Sequence, residues 1–96
     1  MSDHADEIDH ESATPLYVQI ADIIERKIKS GELKPDRPIP AEVRMAEEYG
    51  VARLTARRAV RELRERGLVI TVPGRGTFVN PRIEEGADDD GRDDAG

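Results

Sequence analysis

Six arginines fall within residues 53–66: Arg53, Arg57, Arg58, Arg61, Arg64 and Arg66, against only two acids, Glu62 and Glu65. From Arg53 to Arg61 every charged residue is basic. A guanidinium is a planar fork that matches phosphate oxygens and the edge of guanine. On a helical wheel, Arg57, Arg58 and Arg61 fall largely opposite the apolar stripe Ala56, Ala59, Val60 and Leu63, and Arg53 and Thr55 sit near the helix start. Cations near a helix N-terminus oppose its macrodipole, a cost that function explains. Such a helix end in a DNA major groove uses Arg for bidentate guanine contacts and Thr for hydroxyl or methyl contacts. The plainer reading is a solvated basic face. Arginine outnumbers lysine 12 to 3 in the chain. A GC-rich genome also favours arginine codons, so position carries the argument. Arg64 and Arg66, farther along, are either structural or phosphate-facing.

A seventh arginine, Arg75, stands between Gly74 and Gly76. A phosphate loop of the NTPase kind needs Gly-Lys-Ser/Thr opening a helix, and neither the lysine nor the helix is present here. A Gly-rich tip bearing one Arg instead fits insertion beside a DNA backbone or into a minor groove. The need for Gly in a tight turn explains the glycines but not Arg75. Enzyme chemistry finds little support. His4 and His10 lie among N-terminal carboxylates, and no nucleophile–base pair or carboxylate dyad stands out. With no cysteine, disulfides and thiolate metal sites are excluded. No catalytic residue, metal ligand or cofactor is assigned.

The elements that must position these residues are legible. Thr14-Pro15 reads as a helix start, with a capping hydroxyl followed by proline at the first helical position. Leu16, Ile20, Ile23, Ile24 and Ile28 follow at helical spacing, and Ser30-Gly31 closes the helix. Pro35, Pro38 and Pro40 enforce an extended connector. A short helix is expected from about Ala41 to Tyr49, ended by Gly50, and a longer one from Ala52 to about Arg66, ended by Gly67. Leu68 to Val72 and Thr77 to Val79 read as a β-hairpin around Pro73-Gly74-Arg75-Gly76. The fold class is therefore mainly α with a small β-hairpin. Two helices joined by a tight Gly-containing turn form a helix-turn-helix, and the hairpin makes it winged.

The chain has 96 residues, enough for one small domain, and a net charge of -6. That acidity is not evenly spread. Residues 1–14 carry -5 and residues 84–96 carry -6, while residues 15–83 carry +5. The chain reads as an acidic, disordered tail over 1–13, a basic domain over 14–82, and a second acidic, disordered tail over 83–96. No apolar stretch reaches the roughly 20 residues of a membrane span, and the acidic N-terminus lacks the features of a signal peptide. A cytoplasmic location is expected.

These residues also carry a family resemblance. The segment from Pro15 to Val79 resembles the DNA-binding domain of GntR-family bacterial transcription regulators. The match runs through Pro15-Leu16-Tyr17-Val18-Gln19-Ile20-Ala21-Asp22, Ser30-Gly31-Glu32-Leu33-Lys34-Pro35 and Ile39-Pro40-Ala41-Glu42. It continues in Gly50-Val51-Ala52-Arg53-Leu54-Thr55-Ala56-Arg57, Gly67-Leu68-Val69 and Gly74-Arg75-Gly76-Thr77-Phe78-Val79. The resemblance implies a winged helix-turn-helix that binds double-stranded operator DNA, usually as a dimer on an inverted repeat. It implies DNA contacts at Arg53, Thr55, Arg57 and Gly76. Four positions depart from the family pattern. Val43 stands where an arginine often contacts DNA, with Arg44 one residue later. Ala41 and Ala52 replace common capping serines, each a loss of about 0.5–2 kcal/mol of helix stability. Arg58 stands where glutamate is frequent. Family members usually add an effector-binding, dimerising domain, and this chain is expected to lack one.

The leading expectation is a sequence-specific DNA-binding transcription regulator, a repressor by family analogy. Its candidate DNA-binding residues are Arg44, Arg53, Thr55, Arg57, Arg58, Arg61, Arg75 and Gly76. It is expected to be a monomer in solution that pairs on DNA. The alternative is a winged-helix module that binds protein and not DNA. The acidic tails also have two readings: solubility through mutual repulsion, or competition with DNA for the arginine face. Competition predicts that deleting residues 84–96 tightens non-specific DNA binding, most strongly at low salt. Equal affinity of the full and shortened chains in a salt titration would refute it.

Overall fold

A computed structural model of the protein describes residues 7–83. Three helices precede a hairpin: α1 (Leu16–Lys29), α2 (Glu42–Tyr49), α3 (Arg53–Glu65), β1 (Val69–Val72) and β2 (Gly76–Val79). The element order and the mainly helical architecture with a small wing match the expectation from sequence. The apolar spacing explains the packing. Ile20, Ala21, Ile23, Ile24 and Ile28 are buried on α1, and Ala56, Ala59, Val60 and Leu63 on α3. Met45, Ala46 and Tyr49 add the inner side of α2, and Leu68, Val69 and Val79 the base of the wing. All belong to one core cluster.

The start of α1 differs from expectation. Pro15 is the residue before the helix rather than its first, with ψ 146, and no side chain caps it. The chain entering α1 is instead held by Gln19. Its Nε2 donates to the Thr14 carbonyl at 2.8 Å and to the Asp9 carbonyl at 3.0 Å, and its Oε1 accepts from the Asp9 N–H at 2.7 Å. Ile8 packs against the core from the same segment. Within the segment read from composition as an acidic tail, Asp9 is thus bonded to Gln19 of α1 and Ile8 finds apolar cover, while residues 9–13 are exposed. Residues 1–6 and 84–96, where the remainder of both acidic tails falls, lie outside the described residues.

The turn between α2 and α3 depends on Gly50, whose φ of 67° ends α2 in the left-handed conformation. Ala52 precedes α3 with extended dihedrals and no side-chain cap, as its methyl group dictates. In the wing, β1 and β2 pair antiparallel with Val69 opposite Val79 and Val72 opposite Gly76. Val72 to Arg75 form a turn closed by the Arg75 N–H donating to the Val72 carbonyl at 2.9 Å. Pro73 and Gly74, the latter at φ 78°, occupy its centre as a type II turn requires.

The proline-rich connector is extended, and it also pairs with β2. Asp36 N–H donates to the Val79 carbonyl, Val79 N–H to Arg37, and Ile39 N–H to Thr77, at 2.8–3.0 Å. Pro38 lies opposite Phe78 in an isolated bridge. Proline in a sequence argues against a strand, and here the neighbouring residues supply the donors that Pro38 lacks.

Arg66, at the end of α3, is structural. Its guanidinium meets Asp22 at 2.9 Å and Glu25 at 2.7 Å on α1, and Glu62 at 2.9 Å on its own helix. The side chain is only 23% exposed. Burial works against its charge, and the bonds to Glu62, Glu25 and Asp22 outweigh that, so its pKa is raised. Lys29 at 2.9 Å holds the Glu25 carboxyl below its usual 4.5; burial opposes this and Arg66 reinforces it. A carboxylate whose pKa is lowered by folding stabilises the fold above its unfolded value, and that stabilisation is lost as pH falls through the folded value. Arg66→Ala is expected to cost roughly 1–2 kcal/mol at neutral pH. The gap from the parent chain should narrow as pH falls below 4.5 and Glu25 protonates. Urea unfolding at neutral and acidic pH measures both, and a gap that stays constant would contradict the role given to the carboxylates.

Candidate nucleic-acid interface

Helix α3 presents two unlike sides. Its inward stripe is fully covered, and its outward side carries Arg53, Arg57, Arg58 and Arg61, all exposed. These arginines are distributed by their neighbours. Arg57 leans toward α2, where its Nε meets Glu42 Oε1 at 3.2 Å. Arg58 leans toward α1, its guanidinium 4.1 Å from the centre of the Tyr17 ring. Arg53 and Arg61 form no hydrogen bond or ion pair among the described residues. Thr55 is half-buried at the edge of the helix.

A groove of about 380 Å³ separates the start of α3 from the wing. Arg53 lines it from the helix, Arg75 and Gly76 from the wing tip, and Val43 from α2. The fold thus brings together one arginine of the helix and the arginine of the tip, which lie 22 positions apart in the sequence. Arg75 stands beside Phe78, 6.0 Å from its ring centre. Gly76 has a φ of 128°, a backbone angle that L side chains rarely adopt. Arg44 is exposed on α2 and outside the lining of this groove, while Val43, 44% exposed, takes the place beside Arg53.

Cations elsewhere in the domain are used differently. Arg66 pairs with the carboxylates of Asp22, Glu25 and Glu62, and Lys29 with that of Glu25. Arg64 donates to the Thr71 hydroxyl at 2.9 Å, which joins α3 to β1. The C-terminal end of α3 is therefore tied into the fold, while its N-terminal side keeps guanidinium groups directed at solvent. A surface of that kind, with exposed arginines beside a groove, suits a polyanion.

Two partners were not apparent from sequence: Glu42 for Arg57 and Tyr17 for Arg58. Each pair joins residues far apart in the chain, so no local spacing rule reveals it. Glu42 was visible only as part of the Ile39-Pro40-Ala41-Glu42 step.

Residues 16–79 match the family described as bacterial regulatory proteins, gntR family. The chain belongs to the GntR family. The HTH-type transcriptional repressor NagR of Bacillus subtilis (strain 168) is 43% identical over 79 residues, 81% of this chain and 32% of that protein. Among solved structures, GntR-family transcription factor YtrA from Sulfolobus acidocaldarius is similar with a TM-score of 0.71 and 40% identity, covering 77% of this chain and 78% of that one. The AraR DNA-binding domain in complex with operator ORE1 is similar with a TM-score of 0.67 and 38% identity, covering 75% and 88%. This chain spans about a third of the length of the curated relatives it matches. No helix among the described residues is long and apolar enough to cross a membrane. The winged helix of this GntR-family chain is thus a DNA-binding domain of bacterial regulators.

The Arg57–Glu42 pair has a measurable consequence. Glu42 puts a negative charge beside the guanidinium and also fixes its direction. Glu42→Gln is expected to tighten binding to non-specific DNA about two- to fivefold at low salt, an effect screened at high salt. Fluorescence anisotropy with a random-sequence duplex checks this across a salt series; weaker binding of the variant at low salt would contradict it.

Proposed function

We propose that this chain is a sequence-specific repressor that inserts α3 into the major groove of an operator and lays its wing along the adjacent backbone or minor groove. The observation that carries this reading is the groove bounded by Arg53 of α3 and Arg75 and Gly76 of the wing. A helix and a wing tip that each bring an arginine to one groove, beside Glu42, can grip a duplex at two neighbouring points. Arg53, Thr55 and Arg57 read base edges. Arg58, steadied on Tyr17, and Arg61 read bases or hold phosphates to either side. Arg75 anchors the wing, Gly76 lets its backbone approach closely, and Arg44 reaches a phosphate from α2.

Repression is supported by the relatives. NagR of Bacillus subtilis, MngR of Escherichia coli and the histidine utilization repressor of Klebsiella aerogenes are each named as repressors. The protein acts in the bacterial cytoplasm, as a monomer that pairs on an inverted repeat, so that two copies of α3 enter successive major-groove faces about one helical turn apart.

Selection of bound sequences from a random DNA pool tests the function and gives the operator. On that operator, Arg57→Ala is expected to cost about 1–3 kcal/mol of specific binding and to relax preference at one base position. Arg75→Ala is expected to weaken binding to all sequences alike and to lower the salt slope by about one. An Arg57→Ala variant that keeps the parent's ratio of operator to scrambled-DNA affinity would remove that residue from the base-reading set.

A further inference from the structure

The outward side of α3 contains one residue that its cationic character does not explain. Leu54 is 67% exposed, more than either of the other large apolar residues that the domain leaves open, Val43 and Ile70. A single exposed leucine is ordinary on a protein surface. Its position here is not. At about 100° per residue, Leu54 points about 170° away from the mean direction of the buried stripe Ala56, Ala59, Val60 and Leu63. It therefore occupies the crest of the helix, with Arg57 and Arg61 on one flank and Arg58 on the other. It also lies in the first turn of α3, which starts at Arg53. In a recognition helix, that turn carries the side chains that reach base edges.

Its neighbours in the first turn are directed elsewhere. Thr55 is half-buried at the helix edge, and Arg53 lines the groove toward the wing. Leu54 alone of the three stands on the crest. An isobutyl group accepts and donates no hydrogen bond, so it gains nothing from phosphates, guanine or cytosine. The one apolar feature of the major-groove edge is the C5 methyl of thymine.

We propose that Leu54 is a specificity-determining residue, packing against the C5 methyl of a thymine in each half-site. This rests on the major-groove reading of α3 given above. It assigns to the crest of the helix an apolar contact that complements the flanking arginines: the arginines select guanine edges or hold phosphates, and Leu54 selects a methyl.

Deoxyuridine, which pairs as thymidine does but lacks the methyl, isolates the contact. The full chain is used to select its operator from a random pool, and each thymine of that operator is then replaced singly by uracil. The parent chain is expected to lose about three- to fivefold in affinity at one position per half-site, the effect of uncovering one methyl group. Leu54→Ala should bind the thymine operator about that much more weakly and be indifferent to uracil at the same position. Because Leu54 is exposed, the variant's thermal unfolding should match the parent's. An operator without thymine, or uracil tolerance at every position, overturns the assignment and leaves the DNA-reading function standing. Undiminished sensitivity of Leu54→Ala to uracil does the same. A pool from which no sequence is enriched overturns the DNA-reading function, and the assignment with it.

Discussion

Helix α3 has one narrow apolar stripe with which to hold itself to the rest of the domain. Ala56, Ala59 and Leu63 have no accessible surface and Val60 almost none. The helix needs that packing. Its first turn holds no acid, no side chain caps it, and its early charges oppose the macrodipole. A helix of 13 residues so composed is marginal by itself in water. Burial against the isoleucines of α1 and the inner side of α2 makes good the deficit. Two of the four stripe residues are alanines, which lets neighbouring backbone approach closely. Every functional property of the outward side depends on this arrangement, because the stripe fixes which residues are left to face solvent.

The arginines divide by the end of the helix they occupy. At the C-terminal end a cation favours the macrodipole, and there Arg66 is surrounded by three carboxylates and Arg64 is bonded to Thr71. At the N-terminal end a cation is locally unfavourable, and there Arg53 forms no hydrogen bond or ion pair among the described residues. The same residue type thus stabilises the fold at one end and is held ready for a polyanion at the other. Arg57 and Arg58 lie between these extremes. Glu42 and Tyr17 restrict their motion without burying them, which lowers the conformational entropy lost when they meet a ligand.

Most of this was legible in the residue pattern where the governing rule is local. Helical spacing located the stripe of α3, glycines located the ends of all three helices, and the Pro-Gly pair located the wing turn. What was not legible is non-local. The role of Arg66 is set by Asp22 and Glu25, more than 40 positions earlier, so sequence spacing left it undecided between structure and phosphate. Gln19 reads as an ordinary helical polar residue, and only the folded chain shows it binding Asp9. Composition alone, which does not register that bond, groups Asp9 with the acidic residues around it. The connector shows the same limit, since its prolines indicate extension but not what the extended chain lies against.

That connector has the larger consequence for the interface. An isolated two-stranded hairpin is marginally stable in water. Here β2 is bonded on its other edge to residues 36–39, and those residues lead directly into α2 through Pro40 and Ala41. The wing is therefore tied to the segment that starts the helix-turn-helix. Glu42, the first residue of α2, is in turn bonded to Arg57 of α3. A continuous set of bonds runs from the wing strand through the connector and α2 to the outward side of α3. That path, together with the Arg64–Thr71 bond between α3 and β1, holds the wing against the helices. The proline-rich segment thus helps to hold the groove between Arg53 and Arg75, which it also lines through Pro38, Ile39 and Pro40.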